Sequence, residues 1–72
     1  MITMYTKDSC AKCISSKMTL KMKNIEYNEV EITENHEEFL ERYQADTFPV
    51  IVLDNGEYWF GFNPKKLSEL SE

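Results

Sequence analysis

The two cysteines, Cys10 and Cys13, constrain the fold of this chain more than any other feature of its sequence. The alternating residues 2–5 come just before them and are typical of a short strand, because Ile, Thr and Tyr favour extended backbone. The segment from about Cys10 to Lys23 is typical of a helix, with Ser9 as its expected N-cap. The sequence therefore predicts both cysteines at the start of a helix that follows a strand.

The rest of the chain predicts an α/β fold with the element order β-α-β-α-β-β-α. Residues 25–32 are typical of a second strand, with a bulge or a ragged start near Asn28. A second helix is expected from Thr33 or Asn35, where Asn35 and Glu38 have the spacing of a capping box. The apolar run 49–53 indicates a strand covered on both faces. A parallel pair needs a right-handed crossover, so we expect a four-stranded mixed sheet flanked by three helices.

Turn residues organise the last third of the chain. Asn55-Gly56 predicts a type I′ hairpin turn, because both residues tolerate positive φ angles. Residues 57–60 then form the returning strand. Asn63 and Pro64 are the expected N-cap and first residue of a last helix, whose inward side chains are Leu67 and Leu70.

Two apolar stripes indicate how the first two helices pack. In the first helix, Ile14, Met18 and Met22 lie four residues apart on one face, with Lys17 and Lys21 on another. Leu20 falls off this stripe and is expected to pack against a different element. In the second helix the buried stripe consists of Phe39, Leu40 and Tyr43.

Length and composition predict a single small soluble domain that spans residues 1–72. Apolar runs fall short of the roughly 18 residues of a membrane span. The first residues lack the pattern of a signal peptide, so we expect a cytoplasmic location and no membrane partner. A formal net charge of −5 argues against nucleic acid as a partner.

Positive charge is nevertheless concentrated near the cysteines. Five of the eight basic residues lie in the first third of the chain, namely Lys7, Lys12, Lys17, Lys21 and Lys23. One interpretation is a solvated helix face. The other is a local positive field that favours the thiolate form of the two cysteines.

The cysteine pair admits three interpretations. A structural staple would close a loop of about four residues and contribute only about 2 kcal/mol, and it would not persist in a reducing cytoplasm. A zinc or iron–sulfur site needs more ligands than two cysteines and one distant histidine, unless a dimer or outside thiols supply them. A dithiol redox centre needs only the pair itself, and this interpretation is favoured, with no bound metal.

The helix start supplies a physical reason for redox chemistry. Unpaired N–H groups and the positive end of the helix dipole stabilise a thiolate at Cys10. Lys7 and Lys12 add favourable charge, which Asp8 opposes. Because Cys13 is three residues further on, it lies on the same helix face, close enough for reversible disulfide formation. Cys10 is nearer the helix end and is the expected nucleophile.

Three motifs together resemble the glutaredoxin branch of the thioredoxin superfamily, and most closely the NrdH-redoxins. Residues 5–13 are similar to the first strand and active-site loop of that family. Residues 47–50, Thr-Phe-Pro-Val, look like its cis-proline loop. Residues 59–64, Trp-Phe-Gly-Phe-Asn-Pro, resemble the NrdH-redoxin signature. The resemblance covers essentially the whole chain.

The resemblance implies a dithiol–disulfide oxidoreductase, catalysed by Cys10 and Cys13, that carries electrons to protein disulfides such as that of ribonucleotide reductase. It also implies a cis Pro49 that faces the cysteines and a Phe48 backbone that pairs with a substrate peptide. The substrate- and partner-binding residues implied in this way are Lys7, Lys12, Thr47, Phe48, Pro49, Trp59, Gly61 and Phe62. For Trp59 a structural role is the simpler interpretation.

The electron donor remains open between a thioredoxin reductase-like flavoenzyme using NADPH and glutathione. The Gly-Gly-x-Asp-Asp segment with which glutaredoxins bind glutathione is absent, because Phe62-Asn63-Pro64 follows Gly61. Asn63 and Lys65 also depart from the charged residues usual in NrdH-redoxins. We expect a monomer that works with a flavoenzyme. The alternatives are a glutathione-dependent glutaredoxin, a thiol switch without turnover and a dimeric metal- or cluster-binding module.

Overall fold

The chain forms four strands and three helices in the predicted order, in a computed structural model that describes residues 1–70. The last two residues of the predicted domain lie outside the described part. The strands are β1 (Ile2–Thr6), β2 (Tyr27–Glu31), β3 (Val50–Val52) and β4 (Tyr58–Phe60), and the helices are α1 (Ala11–Met22), α2 (His36–Arg42) and α3 (Pro64–Glu69). Among residues 1–70, no helix has the length and apolar character of a membrane span.

The sheet is mixed, as predicted, with the strand order β2-β1-β3-β4. β1 and β2 are parallel, in an unbroken register from Ile2 opposite Tyr27 to Thr6 opposite Glu31. The bulge expected near Asn28 is therefore absent, and the phase shift instead marks a late start of the strand at Tyr27. β3 runs antiparallel to both β1 and β4. This order places the loop after β1 beside the chain that enters β3.

Helices cover both faces of the sheet. Met4 packs with Leu20 of α1 and Leu67 of α3 in the main core cluster, together with Ile51 and Trp59. Successive side chains of a strand point to opposite faces, and the next residue, Tyr5, packs against Phe39 of α2 and against Tyr43, the C-cap of that helix. α1 and α3 therefore share one face and α2 covers the other, which confirms the predicted fold class.

The packing face of α1 differs from the one that its apolar stripe indicated. The buried residues of this helix are Cys13, Ser16 and Leu20, whereas Ile14, Met18 and Met22 are 56%, 58% and 81% exposed. Burial of Cys13 fixes the rotation of the helix about its axis, and Leu20, seven residues or two turns later, follows on the same face. The stripe of Ile14, Met18 and Met22 is thereby turned outward.

The hairpin turn differs from its prediction, whereas the N-cap of α3 agrees with its prediction. Gly56 has a φ of 93° but Asn55 does not have a positive φ, so the hairpin turn is not type I′. Instead, the Gly56 N–H donates to the Leu53 carbonyl, and Asn55 Oδ1 accepts from the Glu57 N–H, which closes a longer turn. The last helix begins as predicted, with Asn63 Oδ1 accepting from the Lys66 N–H at 3.1 Å.

The capping box predicted for α2 is wrong, although the helix begins where expected. Asn35 has a φ of 55°, and its side chain makes no capping hydrogen bond. The left-handed backbone at Asn35 turns the side chain away from the first-turn N–H groups. The helix buries Phe39, Leu40 and Tyr43 only partly, on the side that contacts the sheet.

Candidate active site at the start of helix α1

The cysteines lie where β1 ends and α1 begins, and they are joined by a disulfide with Cα atoms 5.2 Å apart. Cys10 itself is the N-cap of α1, and its Sγ accepts a hydrogen bond from the Cys13 N–H at 3.1 Å. The prediction of Ser9 as the cap is wrong, because Ser9 has a φ of 54° and turns the chain one residue before the helix. The capping position therefore holds a sulfur atom.

The two sulfur atoms have different environments. Cys10 is 9% exposed, whereas Cys13 is 2% exposed and belongs to the buried face of α1. The N–H group that meets Cys10 Sγ is one of the donors that a helix start leaves unpaired. In the reduced protein such a donor favours the thiolate of Cys10 over its thiol, since a hydrogen bond to a charged acceptor is the stronger one.

The loop before β3 lies against the disulfide. The Phe48–Pro49 peptide bond is cis, as the sequence resemblance implied. Phe48 is 1% exposed and packs directly against Cys10 and Cys13. The Pro49 carbonyl accepts from the Gly61 N–H at 2.8 Å, which ties this loop to the end of β4.

Gly61 adopts a backbone conformation that favours glycine. Its φ of 75° is one that other residues rarely adopt. A Cβ atom at this position would lie 3.4 Å from Thr47 Cγ2, an ordinary van der Waals contact, so Gly61 and Thr47 are close neighbours. The predicted residues Thr47, Phe48, Pro49 and Gly61 therefore come together in one wall beside the cysteines.

Two rings from α2 pack against Phe48 in this wall. Phe48 stacks on Phe39 with ring centroids 5.7 Å apart and planes 10° apart. His36 meets Phe48 edge-on at 5.5 Å, and its Nε2 lies 2.7 Å from the Ile32 carbonyl oxygen. His36 thus contacts Phe48 rather than the cysteines.

A charged cavity of about 270 Å³ opens on the other side of the disulfide. Within it, Glu29 Oε2 accepts hydrogen bonds from Thr6 Oγ1 and from Lys17 Nζ, both at 3.0 Å. The hydrogen bond from Lys17 is the main cause that lowers the pKa of Glu29, and partial burial opposes it. The cavity is lined by Thr6, Lys7, Asp8, Ser9, Cys10, Cys13, Ile14, Lys17, Glu29 and Glu31.

The remaining residues predicted from the sequence do not share one place. Lys7 lines the cavity, and Lys12 is exposed on the first turn of α1. Phe62 is 41% exposed. Trp59 is 8% exposed and packs with Leu20 in the main core, in a different cluster from the cysteines.

Sequence reasoning missed the polar group formed by Thr6, Lys17 and Glu29. Thr6 and Glu31 end β1 and β2 and face each other in the parallel register. The carboxyl ends of neighbouring parallel strands meet at one edge of a sheet. Because the cysteines follow β1, the acidic residues near the end of β2 were identifiable as their neighbours by this rule.

Metal binding finds little support in this arrangement. Across residues 1–70, no three His, Cys, Asp or Glu side chains converge as a metal site requires. The chemistry that the pair supports without any further ligand is reversible exchange between a disulfide and two thiols.

Comparisons with known proteins agree with this chemistry. The family model for glutaredoxin matches residues 2–59. The glutaredoxin-like protein NrdH of Lactococcus lactis subsp. cremoris is 35% identical over 74 residues, covering 99% of this chain and 100% of the relative. The gene 56 protein of Mycobacterium phage D29 is also 35% identical, over 96% of this chain and 80% of its own length.

Solved structures show the same fold. NrdH-redoxin from Escherichia coli has a TM-score of 0.79 at 24% identity, over 99% of this chain and 95% of that one. The thioredoxin-like protein BC3987 has a TM-score of 0.78 at 29% identity, over 96% of this chain and 97% of that one.

Proposed function

We propose that this chain, a thiol–disulfide oxidoreductase that belongs to the glutaredoxin family, carries electrons from an NADPH-dependent flavoprotein reductase to protein disulfides. One observation carries the proposal: the Cys10–Cys13 disulfide caps α1 and packs against the Phe48–Pro49 loop. A cysteine pair in this position supports reversible disulfide exchange without any further ligand.

The proposed cycle moves two electrons and two protons. The Cys10 thiolate attacks one sulfur of the target disulfide, and the other target sulfur leaves as a thiolate that takes up a proton. Cys13 then loses its proton to solvent and attacks Cys10 Sγ. The second target sulfur leaves as a thiolate that takes up a proton, and the Cys10–Cys13 disulfide forms. The reductase then returns this disulfide to two thiols with two electrons from NADPH and two protons from solvent. Cys10 has the first role because it is the more exposed of the two residues and its Sγ receives the helix N–H.

The loop before β3 is the proposed binding wall for the target. Support for this wall comes from Phe48, whose side chain packs with both cysteines in one buried cluster. An extended segment of the target would pair with the backbone of Phe48 as a short strand does. Lys7, Lys12, Thr47 and Phe62 are proposed as further contacts, whereas Trp59 acts through the core.

A protein donor is favoured over glutathione. Where a glutathione-binding segment would follow Gly61, the chain turns directly into α3, and the Asn63 side chain is engaged as the helix cap. The likeness to NrdH proteins further supports ribonucleotide reductase as the target of this carrier.

Turnover with two donor systems tests this function. We expect NADPH with thioredoxin reductase to sustain reduction of a ribonucleotide reductase that accepts electrons from NrdH-redoxins. Glutathione with glutathione reductase should sustain it at least about tenfold less well. The Cys10→Ser variant should be inactive with both systems. A clear preference for glutathione would overturn the proposed donor, and reduction of small disulfides but not of the reductase would overturn the proposed target.

A further inference from the structure

Helix α1 exposes a continuous apolar surface, which we call the α1 stripe, made of Ile14, Met18 and Met22. These side chains are 56%, 58% and 81% exposed. Single exposed apolar residues are common on proteins, but residues four apart on a helix lie side by side and form one patch. Two of the three are methionines, whose flexible side chains adapt to a partner's surface.

The α1 stripe is continuous with the active site. Ile14 lines the same cavity as Cys10 and Cys13. From Ile14, the stripe runs along the helix for about 12 Å, at a rise of 1.5 Å per residue. A molecule that approaches the disulfide from this side therefore contacts the stripe if it extends along the helix beyond Ile14.

Size separates glutathione from a protein donor as occupant of the stripe, and the protein target is already assigned to the loop before β3. A small thiol such as glutathione covers little beyond the sulfur atoms. A donor that binds both a flavin and NADPH is a folded protein, and a standard protein interface covers about 800 Å² on each partner. Such a footprint, placed over Cys10 and displaced toward α1, extends over the α1 stripe.

The lysines beside the stripe indicate which charged groups should border the apolar surface of the partner. Lys17 and Lys21 lie one turn apart along one side of the stripe. Lys17 is paired with Glu29 at 3.0 Å, whereas Lys21 is exposed and, within residues 1–70, takes part in no ion pair. The free ammonium group of Lys21 is complementary to a carboxylate on the partner.

We propose that the α1 stripe is the docking surface for the flavoprotein disulfide reductase that reduces Cys10–Cys13, through an apolar patch bordered by carboxylates on that enzyme. The proposal rests on the proposed function, which names a reductase as donor. Two surfaces would then determine which partners bind: the α1 stripe beside the disulfide and the loop before β3.

Charge substitution on the stripe tests the docking surface. We expect Met18→Glu and Met22→Glu each to raise the KM of this chain as substrate of NADPH–thioredoxin reductase from Lactococcus lactis by about tenfold, which corresponds to about 1.4 kcal/mol. Both changes are at exposed positions that leave the cysteines untouched. Turnover of 2-hydroxyethyl disulfide with dithiothreitol as reductant should therefore be unchanged. Lys21→Glu should raise the KM too and weaken its dependence on salt.

Val30→Glu is the matched control, since Val30 is also an exposed apolar residue, at 41%, and lies on β2 rather than on α1. It should leave the KM within about twofold. An unchanged KM in both methionine variants, with the wild-type protein turning over normally, would overturn the docking surface alone. Failure of the reductase to turn over the wild-type protein would overturn the donor and the docking surface together. A wild-type dimer that Met18→Glu converts to a monomer would show that a second copy covers the stripe, and would also overturn the proposal.

Discussion

Glu29 is a charged residue of the active-site cavity whose ionisation depends on its neighbours. Its carboxylate accepts from Thr6 at the end of β1 and from Lys17 on α1, one helical turn after Cys13. These contacts join two strands and the helix that carries the cysteines. The hydrogen bond from Lys17 holds the pKa of Glu29 below its ordinary value.

Replacement of Glu29 by Gln should lower stability in a pH-dependent way. A lowered pKa in the folded state means that the stabilisation is fully present above the ordinary glutamate pKa of about 4.3 and is lost as the pH falls through the lowered value. The side chain is still 36% exposed, so solvent screening limits the effect to about 0.2–1 kcal/mol. Urea unfolding of both proteins at pH 7 and pH 3 measures it. A difference that persists undiminished at pH 3 would contradict the ionic origin.

The elements show how the position of one residue decides what a helix buries. α1 must bury Cys13 to place both sulfur atoms against the Phe48–Pro49 loop. That requirement turns Leu20 into the core between Met4 and Leu67 and leaves the α1 stripe outside.

Two alanine substitutions on α1 separate the observed packing from the one that the apolar pattern indicated. Leu20→Ala should destabilise the protein by about 2–5 kcal/mol, because Leu20 is fully buried and its loss leaves a cavity. Met18→Ala should change stability by less than about 0.5 kcal/mol, since its side chain is exposed. Midpoints of urea unfolding at constant slope compare the two. A larger loss for Met18→Ala would mean that the stripe, and not Leu20, packs on the sheet.

Sequence reasoning reached the order of the elements because strand and helix patterns are local. The caps of α3 and the two cysteines were also readable, since Asn63, Pro64 and the Cys-x-x-Cys spacing act over a few residues. The rotation of α1 was not readable, because it depends on where Cys13 must point in three dimensions. The pairing of Glu29 with Lys17 joins residues twelve apart in sequence, and only the parallel register of β1 and β2 brings them together.

Charge is distributed unevenly over the molecule as a whole. Its formal net charge is −5, yet lysines surround the reactive end of α1. Carboxylates from β2 compensate part of this positive charge, as the pair of Lys17 and Glu29 shows. A partner therefore meets charges of both signs beside the cysteines, since Lys7 and Lys17 line the cavity together with Asp8, Glu29 and Glu31, and a complementary arrangement on the partner would favour correct orientation.

The central claim is that Cys10 is the sulfur that enters into disulfides with partners and that Cys13 releases them. Trapping measures this directly. After incubation of the reduced Cys13→Ser and Cys10→Ser variants with bovine insulin, non-reducing electrophoresis and peptide mass spectrometry locate any mixed disulfide. We predict a stable adduct on Cys10 in the Cys13→Ser variant and none in the Cys10→Ser variant. An adduct that forms on Cys13 as readily as on Cys10 would contradict the account.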